Sequence, residues 1–108
     1  MALTHALPGE VVYLRPLGPA LGRAKTTALV KSTQFEAVRL VLPEGRHVPS
    51  HSVTGQISLL CLEGQVTVHA HTDISLRASE WVYLDRGAPH SLTAILDSSL
   101  LLTIHFDI

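Results

Sequence analysis

The chain has 108 residues, enough for one domain with its own core and too few for two. Hydrophobic residues make up 46%, charged residues only 16%, and the mean hydropathy is +0.30, so part of the apolar surface is expected in a subunit interface. The formal net charge is -1 and the Lys and Arg residues are scattered, which argues against a nucleic-acid partner.

Cys61 is the single cysteine, so no internal disulfide forms and no thiolate cluster exists for zinc. Residues 1–10 lack a basic lead followed by an apolar core, and no apolar run approaches the ~20 residues that span a bilayer. The expected setting is the cytoplasm, with no membrane contact.

In chain order, residues 10–14 are expected to form a first strand, and residues 16–22, with two glycines and two prolines, a loop or one short helical turn. Residues 1–25 thus read as an amino-terminal arm and loop, and residues 26–108 as a barrel, in one domain over 1–108. Short runs rich in Val, Leu, Ile and Thr, bounded by Gly, Pro, Ser or Asp, predict strands over 26–32, 35–42, 56–62, 65–70, 74–77, 81–84, 90–95 and 100–106. Glu63-Gly64 reads as a tight hairpin and Thr72-Asp73 as the next one. Regular short strands suit a closed antiparallel barrel, which removes exposed sheet edges.

The segment LVLPEGRHVPSHSVTGQISLLCLEGQVTV, residues 40–68, resembles the first conserved motif of the cupin superfamily. Gly45, His51 and Leu62-Glu63-Gly64 fall where cupins place a glycine, a metal-binding histidine and the closing hairpin. The segment LRASEWVYLDRGAPHSLTA, residues 76–94, resembles the second motif through Glu80, Gly87, Pro89 and His90. The resemblance extends over residues 35–106 and implies an all-β, antiparallel, jelly-roll-like barrel, frequently a homodimer, without implying an activity.

Departures from the pattern bear on chemistry. Val53 and Ile57 occupy the positions of a second histidine and a glutamate, so the usual four-ligand set is reduced to His51 and His90. Ser79 replaces a motif glycine and Asp85 a common proline. A firm transition-metal site wants three or four converging ligands. His47 lies about 13 Å along an extended strand from His51, with Pro49 between them, and ligates only if the chain bulges. Gln56 adjoins the missing glutamate position, and a one-residue bulge would turn its amide inward; its plainer use is a hydrogen bond near the barrel mouth.

His51 and His90 mark a pocket either as hydrogen-bonded imidazoles that orient a ligand or as ligands to a metal. His69 and His71 have a metal-friendly spacing but alternate with Val66, Val68 and Ala70, so they are expected to face solvent. Cys61 reads as a buried small hydrophobe, and Trp81 and Tyr83 share one strand face as core or interface aromatics. His90, Ser91 and Asp97 hold the letters of a hydrolase triad without a positioning motif.

Three functions follow from different premises. The first is a non-catalytic or sensing barrel that binds a small molecule in a pocket lined by His51, Val53, Gln56, Ile57 and His90. The second is a metal-dependent oxygenase or isomerase in which His51 and His90, helped by Gln56 or His47, hold a weakly bound divalent Fe, Mn, Ni or Zn. A metal-free acid-base enzyme using either imidazole is the third.

Overall fold

The computed structural model describes residues 5–51 and 55–106, except for the side chain of His51. Among these residues nine strands follow a short 3-10 turn at Gly18–Arg23: β1 Thr27–Lys31, β2 Phe35–Leu42, β3 His47–His51, β4 Ile57–Glu63, β5 Gln65–His69, β6 Asp73–Arg77, β7 Trp81–Leu84, β8 His90–Ala94 and β9 Ser98–His105. All pair antiparallel, in a five-stranded sheet of order β1-β2-β9-β4-β7 and a four-stranded sheet of order β3-β8-β5-β6. Where a closed barrel is expected from sequence, each sheet's ladder stays within itself among the described residues. No helix among them is long and apolar enough to cross a membrane.

Alternation along the strands builds the core. Ile57, Leu59 and Cys61 of β4 point inward while Ser58, Leu60 and Leu62 are half-buried, and Val66 and Val68 repeat the pattern on β5. With Leu42, Leu76, Leu84, Leu92, Ala94 and Leu100 they form one cluster between the sheets. Burying a Leu or Val side chain stabilises by about 1.5–3 kcal/mol, so this cluster dominates the energetics. Cys61 is fully buried within it, and burial pushes its thiol above the ordinary cysteine value.

Two departures from the sequence reading have clear causes. Residues 10–14 form no strand; they run as irregular chain and leave Val11 and Tyr13 93% and 80% exposed. β3, which Pro49 hides from a propensity reading, exists because it is an edge strand: its register with β8 is irregular between Val48 and His51, and the missing Pro49 N–H is tolerated there.

The β4–β5 hairpin passes the chain from one sheet to the other and is the most constrained point of the fold. Gly64 has φ 88°, and a Cβ there would collide with the backbone oxygen of Asp97 and with Ser98. Its neighbour Glu63 fastens the arm. The carboxylate accepts from the Leu17 N–H at 3.0 and 2.8 Å, from the Gly18 N–H at 3.0 Å and from the Ser99 hydroxyl at 2.6 Å, with Arg39 at 3.4 Å. Arg39, itself buried, also donates to the Arg15 carbonyl at 2.6 Å. Burial raises the Glu63 carboxyl, but the Leu17 N–H, the Ser99 hydroxyl, the Gly18 N–H and the Arg39 charge together outweigh it and hold the carboxyl below the usual range.

A depressed folded-state pKa contributes stability above the unfolded value, about 4.3, and that stability is lost as pH falls through the folded value. Glu63→Gln is therefore expected to cost about 2 kcal/mol at pH 7. In urea titrations from pH 7 down to pH 3, the gap between wild type and variant should close below about pH 4.3; a gap independent of pH would show that the carboxylate charge is not what holds the arm.

Candidate functional site

The two motif histidines meet across one ladder. Strand β3 ends with His51 as the register partner of His90, the first residue of β8. By alternation His90 shares its face with Leu92 and Ala94, the core face, and it is 4% exposed. Its Nδ1 lies 3.1 Å from the Ala88 carbonyl oxygen, which only accepts, so Nδ1 carries a proton and in the neutral ring Nε2 bears the lone pair. The segment before it turns tightly, with Gly87 at φ 73° and the Ala88 N–H donating to the Asp85 carbonyl at 3.2 Å.

The other candidates are distributed differently. Val53 lies outside the described residues. Ile57 is 3% exposed in the core cluster, an apolar side chain at the position of the pattern's glutamate. The Gln56 amide donates to Asp85 Oδ1 at 3.3 Å, and with Ile57, Ser58, Trp81, Tyr83 and His105 it borders a groove of about 180 Å³ at the β7 edge. The Arg86 N–H and then the Gln56 amide hold the Asp85 carboxyl below its ordinary value. His47 is a register partner of Thr93, exposed, on the outer face of the sheet, and its Nδ1 is 3.0 Å from Thr93 Oγ1. It therefore stands across the sheet from the side that His90 occupies, because four residues and one irregular ladder step separate it from His51.

Among the described residues no three His, Cys, Asp or Glu side chains are placed to hold a metal ion together. Residues 52–54 are Ser, Val and Thr, so the sequence supplies no imidazole or carboxylate there. The described residues thus supply no three- or four-ligand set for a cupin metal, and the motif positions offer two imidazoles, His51 and His90.

Ser91 and Asp97 form no triad with His90. Ser91 belongs to the opposite face of β8, and Asp97 accepts the Glu44 N–H at 2.7 Å in the turn before β9. Sequence reasoning missed a different arrangement, on the outer face. His69 Nδ1 is 2.9 Å from Asp73 Oδ1, and its Nε2 is 3.0 Å from the same Thr93 hydroxyl that His47 contacts. No spacing in the sequence announces it, since it is assembled from β3, β5, β6 and β8.

The architecture matches solved cupin structures. A cupin superfamily protein from Desulfitobacterium hafniense superposes with a TM-score of 0.77 at 17% identity, over 94% of this chain and 100% of the other. A conserved protein of unknown function from Streptococcus pyogenes gives 0.76 at 16% identity, over 100% and 99%. The DMSP lyase DddQ from Ruegeria pomeroyi gives 0.67 at 18% identity, over 76% of this chain and 46% of that one. No protein-family model matches the sequence, and no curated protein matches it. The chain has the fold of a small cupin domain, a fold that carries proteins of unknown function as well as enzymes.

Restoring the family's ligand pattern tests how far the missing side chains set the metal chemistry. Val53→His with Ile57→Glu should bind Ni²⁺ or Zn²⁺ at least about tenfold more tightly than wild type by calorimetry. Without metal the variant should lose about 3 kcal/mol, because an uncompensated carboxyl replaces the buried Ile57, and metal should return part of it. Equal affinities in the two proteins would show that positions 53 and 57 do not face the histidine pair.

Proposed function

We propose that this chain is a small-molecule-binding cupin domain whose pocket lies at the His51 and His90 end of a jelly-roll-like barrel. One observation carries the reading: a buried imidazole, His90, sits on an otherwise apolar strand face at the strand's end, opposite a second histidine in the ladder. An apolar cavity with one or two fixed polar groups selects a ligand by burying its hydrocarbon and hydrogen-bonding its polar atom. The Ala88 carbonyl fixes the tautomer of His90, which gives the pocket a defined acceptor in the neutral ring. Val53 and Ile57 belong to the apolar part of this reading.

Binding without catalysis accords with the reduced donor set. A second reading, a metal-dependent oxygenase or isomerase, draws on one feature: ligating histidines generally donate their other N–H to a carbonyl or carboxylate, as His90 does to Ala88. Metal retained at one equivalent through chelator dialysis, and lost in both His51→Ala and His90→Ala, would favour it over binding alone.

The ligand site can be mapped before the ligand is known. In a ¹⁵N-labelled sample screened against small carboxylates, amides and sugars, hits should shift the backbone amides of β3 and β8 around His51 and His90. They should bind about tenfold more weakly to His90→Leu, the loss of one buried hydrogen bond. Shifts confined to the groove beside Trp81 and Tyr83 would remove this reading.

The natural partner in solution is a second copy. Leu7, Val11 and Tyr13 on the arm are exposed, and a groove of about 360 Å³ lies between arm residues 5–8 and Val30, Lys31, Ser32 and Phe35. Trp81 and Tyr83, 60% and 55% exposed, stand on the outer face of edge strand β7. Burying such a surface is the ordinary stabilisation of a homodimer. Light scattering should give twice the 11.7 kDa chain mass. A monomer at about 50 µM would count against it.

A further inference from the structure

The outer face of the four-stranded sheet holds four side chains in a continuous hydrogen-bonded line. Asp73 Oδ1 is 2.9 Å from His69 Nδ1, His69 Nε2 is 3.0 Å from Thr93 Oγ1, and His47 Nδ1 is 3.0 Å from the same oxygen. The register explains the convergence. Thr93 on the central strand β8 is partnered by His47 on β3 and by Thr67 on β5, while His69, two residues beyond Thr67 on the same face, is partnered by Asp73 on β6. The two imidazoles thus reach one hydroxyl from both sides, with ring centroids 6.3 Å apart and planes at 47°.

We propose that His47 Nδ1 and His69 Nε2 form an external site for a divalent transition metal of the imidazole-binding class, Cu²⁺, Ni²⁺ or Zn²⁺, separate from the pocket at His90. Two geometric features point the same way. His47 Nδ1 and His69 Nε2 each lie 3.0 Å from one oxygen, Thr93 Oγ1, so both rings face a common point. Behind one of them stands a carboxylate: Asp73 receives the Nδ1–H of His69, which fixes the tautomer that leaves Nε2 as donor, the usual arrangement behind a metal-bound histidine.

The proton count is simple. In the neutral network His47 Nδ1–H donates to Thr93, whose own proton goes to His69 Nε2. On metal binding His47 takes its Nε2–H tautomer, the Thr93 hydroxyl proton turns away, and both ring nitrogens offer lone pairs without net loss of a proton. Metal–nitrogen bonds of about 2.1 Å at a tetrahedral angle bring ring centroids to about 5 Å, so the rings must close by about 1 Å. His47 is exposed and His69 keeps 36% of its side-chain surface, so small rotations achieve this. Thr93 and water complete an open shell, and the ion exchanges with solvent. Bound there, it clips β3 to β5 across β8.

The test uses untagged full-length protein dialysed against chelator, titrated with Cu²⁺ and followed by electron paramagnetic resonance and calorimetry. The expected result is one equivalent with hyperfine structure from two nitrogens and a rise in melting temperature on metal addition. His47→Ala and His69→Ala should each weaken Cu²⁺ binding at least about tenfold, Asp73→Asn about tenfold, and His90→Ala less than about twofold. The substituted residues at 47 and 73 are exposed, and circular dichroism of each metal-free variant verifies the fold. Wild type that binds no Cu²⁺, His47→Ala that binds like wild type, or His71→Ala that alone removes the site would each overturn the proposal. Loss in His90→Ala with retention in His47→Ala would assign the metal to the interior pocket instead.

Discussion

The carboxylate of Glu63 is the interaction on which the rest of this structure depends. It sits where β4 ends and the chain crosses to the second sheet, and it collects N–H donors from the arm, a hydroxyl from β9 and the charge of Arg39 on β2. Four separate stretches of chain are thereby tied at one ionised group. A part-buried charge is stable only when its lone pairs are filled, and here they are filled mostly by donors that would otherwise lack partners at the start of the 3-10 turn. Gly64 beside it is the steric half of the same constraint, since only a residue without Cβ lets the turn before β9 press against the hairpin.

Much of the fold is legible in the sequence because the strands are short and their burial alternates. The 35–42 and 81–84 runs coincide with β2 and β7, and the hairpin residues Glu63-Gly64 fall at the crossing. Ser79 shows the limit of reading turns from composition: it takes φ 71°, the glycine-like conformation of the motif, despite carrying a side chain. The turn survives because the Ser79 N–H reaches the Cys61 carbonyl at 2.7 Å and Glu80 closes it through the Arg77 backbone. Residues 10–14 mislead for the opposite reason. Alternating apolar letters make a strand only if a ladder partner is present, and β1 accepts from the arm through the Ala6 N–H to Leu29 instead.

The candidate site divides along the same line. His51 and His90 were nameable because a motif indexes them, and their ladder pairing follows from the two motifs being adjacent strands. His69, Asp73, Thr93 and His47 were not, because their meeting depends on the register of four strands, and register is a property of the whole sheet rather than of any local pattern. Glu63 was visible as a motif letter, yet its acceptor role was hidden, since its donors lie 46, 45 and 36 residues away.

Strand β8 shows how one short segment serves two chemistries. Period-two alternation sends His90, Leu92 and Ala94 to the core face and Ser91 and Thr93 to the outer face, so the buried imidazole and the outer network are built from interleaved residues of the same five. β3 carries His47 at one end, on the outer face, and ends at His51. As an edge strand with an irregular register, β3 has ladder bonds to one neighbour only, and the His47 side chain, bonded to Thr93 and tilted toward the His69 ring, adds the contact that reaches β5. Whatever steadies His47 also steadies the strand that carries His51, because four residues of extended chain transmit position along their length. The backbone at His51, the ladder partner of His90, is thus held partly by side chains on the far face of the sheet.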